Sequence, residues 1–151
     1  MTTQPSANQA VQDLYPEHFA NCYGCGRNNE QGMQLKSYWD GDETVCRYTP
    51  ESKYTGGVPD FLYGGMIASL LDCHGAATAA AASARHYDEP VSRFVTASLH
   101  VDFLAPTPIG VELEIRGKAV DIKPRKVVAE LVLTAGATRC ATGWVVMVRM
   151  K

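Results

Sequence analysis

The chain has 151 residues, of which 46% are hydrophobic and 20% charged, and its net charge is -2. That balance fits one globular domain large enough to bury a core. It lacks the long basic run that would mark nucleic acid as the main partner. The five cysteines are odd in number and unevenly spaced, whereas an extracellular disulfide framework normally uses an even set.

The start, Met1 to Gln12, is polar and has no apolar core of a signal peptide, so reduced cytosol is the expected compartment. Met1 to Asp13 reads as loosely packed, and residues 1–20 as an N-terminal extension to a single domain over 21–151. Val11 to Phe19 has the makings of a short helix. Cys22 to Gly32 is loop chemistry, and Met33 to Trp39 reads as a strand. Asp40-Gly41-Asp42 signals a hairpin turn into a second strand over Thr44 to Thr49.

Pro50 to Leu62 holds Gly56-Gly57 and Pro59 and is expected to be mostly loop. Gly64 to His86 is a long helix, with an Ala-rich second half that favours helix strongly. The apolar run Ile67 to Ala84 is interrupted by Asp72, His74 and Gly75, so no membrane span is expected. Four strands follow, over Val91–Leu104, Val111–Val120, Val127–Ala135 and Ala141–Met150. One helix segregated from the strands argues for an α+β domain with an antiparallel sheet. A single helix cannot cover both faces of that sheet, so the sheet must curl around it or join a second subunit.

The chemistry concentrates at the head of the helix. Gly64-Gly65 exposes backbone N–H groups where a developing negative charge is stabilised. Asp72 lies beyond the first turn, among Leu70, Leu71 and Cys73. A carboxylate in such company needs a partner, and can act as base or nucleophile. A plain turn and a dipole-complementing acid are the bland alternatives. Phe61, Leu62 and Met66 flank the site with apolar surface, and Tyr63 offers a hydroxyl or ordinary packing. His74 projects away from Asp72 and reads as a core or seam residue. His100 and Asp102 share one strand face, as does Thr96 with its i+2 partners, lining a polar groove or a half-exposed surface. Lys123, Arg125 and Lys126 form a basic turn. Cys22 and Cys25 have the spacing of half a zinc site or a redox pair, with Cys46 as a third candidate. Without a second pair in the sequence, free thiols in a loop are expected, and neither a metal nor a cofactor.

Three stretches, in order, resemble the hotdog-fold acyl-CoA thioesterases of the phenylacetate-pathway type. They are Cys22-x-x-Cys25-Gly26-x-x-Asn29-x-x-Gly32-Met33, Tyr63-Gly64-Gly65 through Leu71-Asp72, and Phe94 through Phe103-Leu104-Ala105-Pro106. The resemblance spans about residues 22–150. It implies a curved antiparallel sheet wrapped around one central helix. It also implies a homodimer or dimer of dimers, with active sites between subunits. Gly64, with Gly65, would supply the N–H to the thioester oxygen. Asp72 would activate water or attack the carbonyl, and Thr96 would orient the water. Tyr63 would take the place of the family's His, beside a substrate held by Phe61 and Met66. Arg125 and Lys126 would reach the phosphates of CoA. The Ser or Thr that some branches carry one turn after the acid is Ala76 here. The expected activity is hydrolysis of an acyl-CoA thioester. A non-catalytic acyl-CoA sensor and a hotdog hydratase or dehydratase are the alternatives.

Overall fold

The computed structural model describes residues 4–151. Its centre is the helix α1, Gly64–Tyr87, which is buried almost continuously from Met66 to Ala84. An amphipathic stripe is absent because the helix has protein on nearly every side. Its alanines allow a close fit to the sheet. The approach is close at two glycines: a Cβ at Gly117 would lie 2.3 Å from Thr78 Oγ1, and one at Gly75 would lie 2.8 Å from the Val145 side chain. The helix ends at Asp88, whose left-handed backbone turns the chain back with its N–H on the Ala84 carbonyl.

Six strands form one antiparallel sheet. In chain order they are β1 (Ser37–Asp40), β2 (Glu43–Tyr48), β3 (Phe94–Phe103), β4 (Leu113–Ile122), β5 (Lys126–Ala135) and β6 (Thr138–Arg149). Their spatial order is β1-β2-β4-β5-β6-β3. The inward-facing residues, among them Ile115, Leu131, Leu133, Val145 and Met147, close on the helix to form one core. This is the central-helix, antiparallel-sheet arrangement implied by the resemblance. Among the described residues, no helix is long and apolar enough to cross a membrane.

Three expectations are corrected. The N-terminal segment is packed down rather than loose: Ala10, Val11, Gln12, Tyr15 and Ala20 are all buried. Residues 1–3 of the proposed extension lie outside the described residues. In place of one helix there are two short 3-10 turns, Val11–Leu14 and Glu17–Phe19, separated by Pro16. The first strand also starts later than its apolar pattern. Met33 and Leu35 donate to the carbonyls of Tyr23 and Gly24 instead, binding the cysteine loop to the chain ahead of β1.

β3 is an edge strand, and Phe94 is its one buried residue. It carries a bulge: Thr96 pairs with Met147 and Ser98 with Val146, so Ala97 is an extra residue. The alternation therefore changes face at Ala97. Thr96 lies opposite buried Met147, and Leu99 opposite buried Val145, whereas His100 lies opposite exposed Trp144.

Candidate active site

The loop before the helix is pinned so that the first turn starts at Gly64. Tyr63 N–H donates to the Tyr54 carbonyl, and Leu62 N–H to the Thr107 carbonyl. Tyr63 is the N-cap in extended conformation, without a side-chain cap. The N–H groups of Met66 and Ile67 both close onto the Tyr63 carbonyl. Gly64 and Gly65 are thus the first two helical residues, whose N–H groups have no intrahelical acceptor. Both glycines are exposed.

An apolar hollow of about 350 Å³ opens beside Gly64, lined by Phe61, Leu62, Ile67, Phe103, Leu104 and Pro106. A second hollow adjoins it on the Tyr63 side and shares Phe61, Leu62, Gly64 and Pro106. Phe61 therefore lines both hollows. Met66 is 2% exposed and belongs to the core, because its position on the helix turns inward. Ile67 and Phe103 take the lining role. Phe103 is 57% exposed, and its ring stands 3.5 Å from where a Gly64 Cβ would be. The sequence signal for this wall was an apolar Phe103-Leu104 pair at the very end of a strand.

Asp72 is half-buried and is the sole acid of α1. Thr96 Oγ1 donates to Asp72 Oδ1. The bulge makes this contact possible by turning Thr96 toward the helix. Asp72 is eight residues past Gly64, which is a rise of about 12 Å along the helix. Within one chain the acid and the amide are too far apart to act on the same carbonyl.

The histidines lie away from this carboxylate. His74 is completely buried. Its Nε2 lies 3.2 Å from the Thr44 carbonyl, an obligate acceptor, so Nε2 carries the hydrogen. Nδ1 then accepts from Ser37 Oγ at 2.8 Å, and Ser37 Oγ accepts from Gln12 Nε2 at 2.9 Å. Burial pushes the His74 pKa down to about 4. His100 stacks on Trp144 on the outer face and is 3.1 Å from Asp102.

Arg125 and Lys126 are exposed at the β4–β5 turn. Val148 pairs with both Lys126 and Val95, so the turn lies two strand spacings, about 10 Å, from the Thr96 end of β3. Cys22 and Cys25 meet a third thiol, but it is Cys73 rather than Cys46.

A central helix with exposed head amides, an acid held by a strand hydroxyl and a six-stranded antiparallel wrap invite comparison with known proteins. Residues 60–142 match the family model described as "Thioesterase superfamily". The chain belongs to the thioesterase superfamily. A thioesterase superfamily protein from Shewanella loihica PV-4 is 45% identical over 89% of this chain and 97% of its own, with a TM-score of 0.70. The PaaI protein of the E. coli phenylacetic acid degradation operon shares the fold at 16% identity. That match covers 79% of this chain and 81% of PaaI, with a TM-score of 0.66. Smu.793 from Streptococcus mutans UA159, solved bound to acetyl CoA, does so at 16% identity, over 77% and 88%, with a TM-score of 0.65. No match is found among curated proteins. The family match runs from before the helix into β6 and so contains Gly64, Gly65, Asp72, Thr96 and the basic turn.

Proposed function

We propose that this thioesterase superfamily member hydrolyses an acyl-CoA thioester to a free acid and CoA, at sites built by two copies of the chain. One observation carries the proposal: Asp72, the lone acid of a buried helix, is held by Thr96 beside an edge strand left open along its length. An edge of this kind needs a cover, and a second copy of β3 is the natural one. Pairing across a two-fold axis brings the head of one helix toward the acid of the other. It thereby removes the separation of about 12 Å within a protomer.

The thioester oxygen accepts from the Gly64 N–H, with Gly65 adjacent. Water attacks the carbonyl carbon as Asp72 Oδ2 takes its proton, and negative charge collects on the oxygen facing the helix head. Collapse expels the CoA thiolate, which regains the proton. In the other route Asp72 itself attacks, giving an anhydride that water then opens. Thr96 orients the carboxylate in both. The hollow lined by Phe61, Ile67 and Phe103 suits an apolar acyl or aryl group. Tyr63, 42% exposed and lining the adjoining hollow, contacts that group or its carbonyl. Arg125 and Lys126 serve the phosphates of CoA.

A hydratase would need a histidine beside the acid, and His74 and His100 are both committed elsewhere. The test is thiol release from aryl-, short- and medium-chain acyl-CoAs, with Asp72→Ala as control. Turnover that vanishes in the variant while acyl-CoA still binds is expected. Tight binding without turnover in the wild-type chain would favour a sensor. Equal turnover in both proteins would remove Asp72 from the chemistry.

A further inference from the structure

We propose that Cys22, Cys25 and Cys73 form a zinc site that fastens the N-terminal loop to the middle of the helix, with a small solvent-derived ligand completing the tetrahedron. The three sulfurs all lie within 4.8 Å of one another, and Cys22 Sγ is 3.9 Å from Cys73 Sγ. Zinc–sulfur bonds of about 2.3 Å in tetrahedral geometry require sulfurs about 3.8 Å apart. A disulfide would use two of the three sulfurs and leave the third without a partner. A metal ion uses all three. The site rests on none of the groups assigned to thioester hydrolysis.

The loop is shaped for this. Gly26 N–H returns to the Cys22 carbonyl at 2.7 Å, while Met33 and Leu35 clamp Tyr23 and Gly24 through their backbone N–H groups. The backbone N–H groups of Gly24 and Cys25 are directed at Cys22 Sγ. Backbone N–H donors on a cysteine sulfur are what a metal-bound thiolate needs around it. Gly24 is obligatory at this spot, because a Cβ there would stand 2.3 Å from Cys73 Sγ.

The surroundings balance the charge. Three thiolates and Zn²⁺ sum to one negative charge, which is costly to bury alone. Arg93 supplies the counter-charge: its guanidinium lies 4.6 Å from the Tyr15 ring centroid and acts on Cys25. The Tyr15 hydroxyl is buried, without a hydrogen-bond partner among the described residues, and within electrostatic reach of all three thiols. It is left free to donate to the fourth ligand. Cys25 and Cys73 are buried and Cys22 is half-buried, so the fourth position opens beside Cys22. Cys46 and Cys140 are buried outside the cluster and serve as internal controls.

The experiment is elemental analysis of the full chain purified without added metal, followed by exchange with cobalt(II). About one zinc per chain is expected, and a thiolate-to-cobalt charge-transfer band on exchange. Cys73→Ser should lose both, and Cys46→Ser should keep both. Removing the ion from the wild-type chain with a strong chelator should lower its melting temperature by several degrees, restored by zinc alone. Should Cys73→Ser fail to fold, the wild-type cobalt spectrum still decides. Wild-type protein that takes up neither ion, or that yields a Cys22–Cys25 disulfide on mapping, overturns the proposal.

Discussion

Thr96 and His100 occupy alternate positions of the same strand, yet they face opposite sides of the sheet. The extra residue Ala97 separates them. On the inner side Thr96 donates to Asp72, while on the outer side His100 stacks against Trp144 with ring centroids 5.5 Å apart. One bulge thus decides which polar group of β3 serves the acid. A hydrogen bond to a charged carboxylate is worth about 1.5–3 kcal/mol. Thr96→Val keeps the shape and removes the donor, so kcat should fall about ten- to hundredfold with KM nearly unchanged. Thr96→Ser should restore most of it. Steady-state kinetics on one acyl-CoA checks both.

Gly64→Pro isolates the amide hydrogen. Proline is well tolerated at the first helical position, and Tyr63 before it already has the extended backbone that proline requires, with φ -71 and ψ 149. The helix should form as before, with unchanged circular dichroism. Loss of an oxyanion donor should lower kcat by about a hundredfold or more. Gly64→Ala, whose Cβ meets the Phe103 ring at an ordinary 3.5 Å, should retain most activity.

His74 ties stability to pH. Its folded pKa of about 4 is below the unfolded value of about 6.5, so the unfolded chain binds more protons between these limits. Stability should therefore rise with pH across that window and lose on the order of 3 kcal/mol as pH falls through it. Below about pH 4 the contribution is spent. Urea denaturation at a series of pH values measures the slope. His74→Asn should be less stable at neutral pH and lack this part of the slope.

Neutralising Arg125 and Lys126 together should raise KM for acyl-CoA several-fold and leave small thioesters without CoA unaffected. The effect should shrink at high salt, because exposed charges are screened. Equal loss on both substrate types would assign the turn a structural role.

Much of this was legible in the residues. The Gly64-Gly65 pair, the alanine run and the alternating strands gave the element order, because helix propensity and two-residue periodicity are local signals. Asp72 stood out because an acid is expensive among Leu70, Leu71 and Cys73. The bulge at Ala97 has no local signature, since alanine fits either strand face. The contact of Cys73 with Cys22 and Cys25 joins segments remote in sequence and could be found only in three dimensions. Gln12 looked like a surface residue. Its burial follows from a long-range partner, since Ser37 N–H donates to Gln12 Oε1 at 2.8 Å.

If amide and acid meet across two chains, mixing inactive subunits should rebuild working sites. Asp72→Ala and Gly64→Pro should each be nearly inactive alone. Co-refolded in equal amounts, half of the dimers carry one of each, and each such dimer holds one intact site out of two. Recovery of about a quarter of wild-type activity is expected. A mixture no more active than its parents, with hybrid dimers demonstrated by mass, would contradict a site shared by two chains.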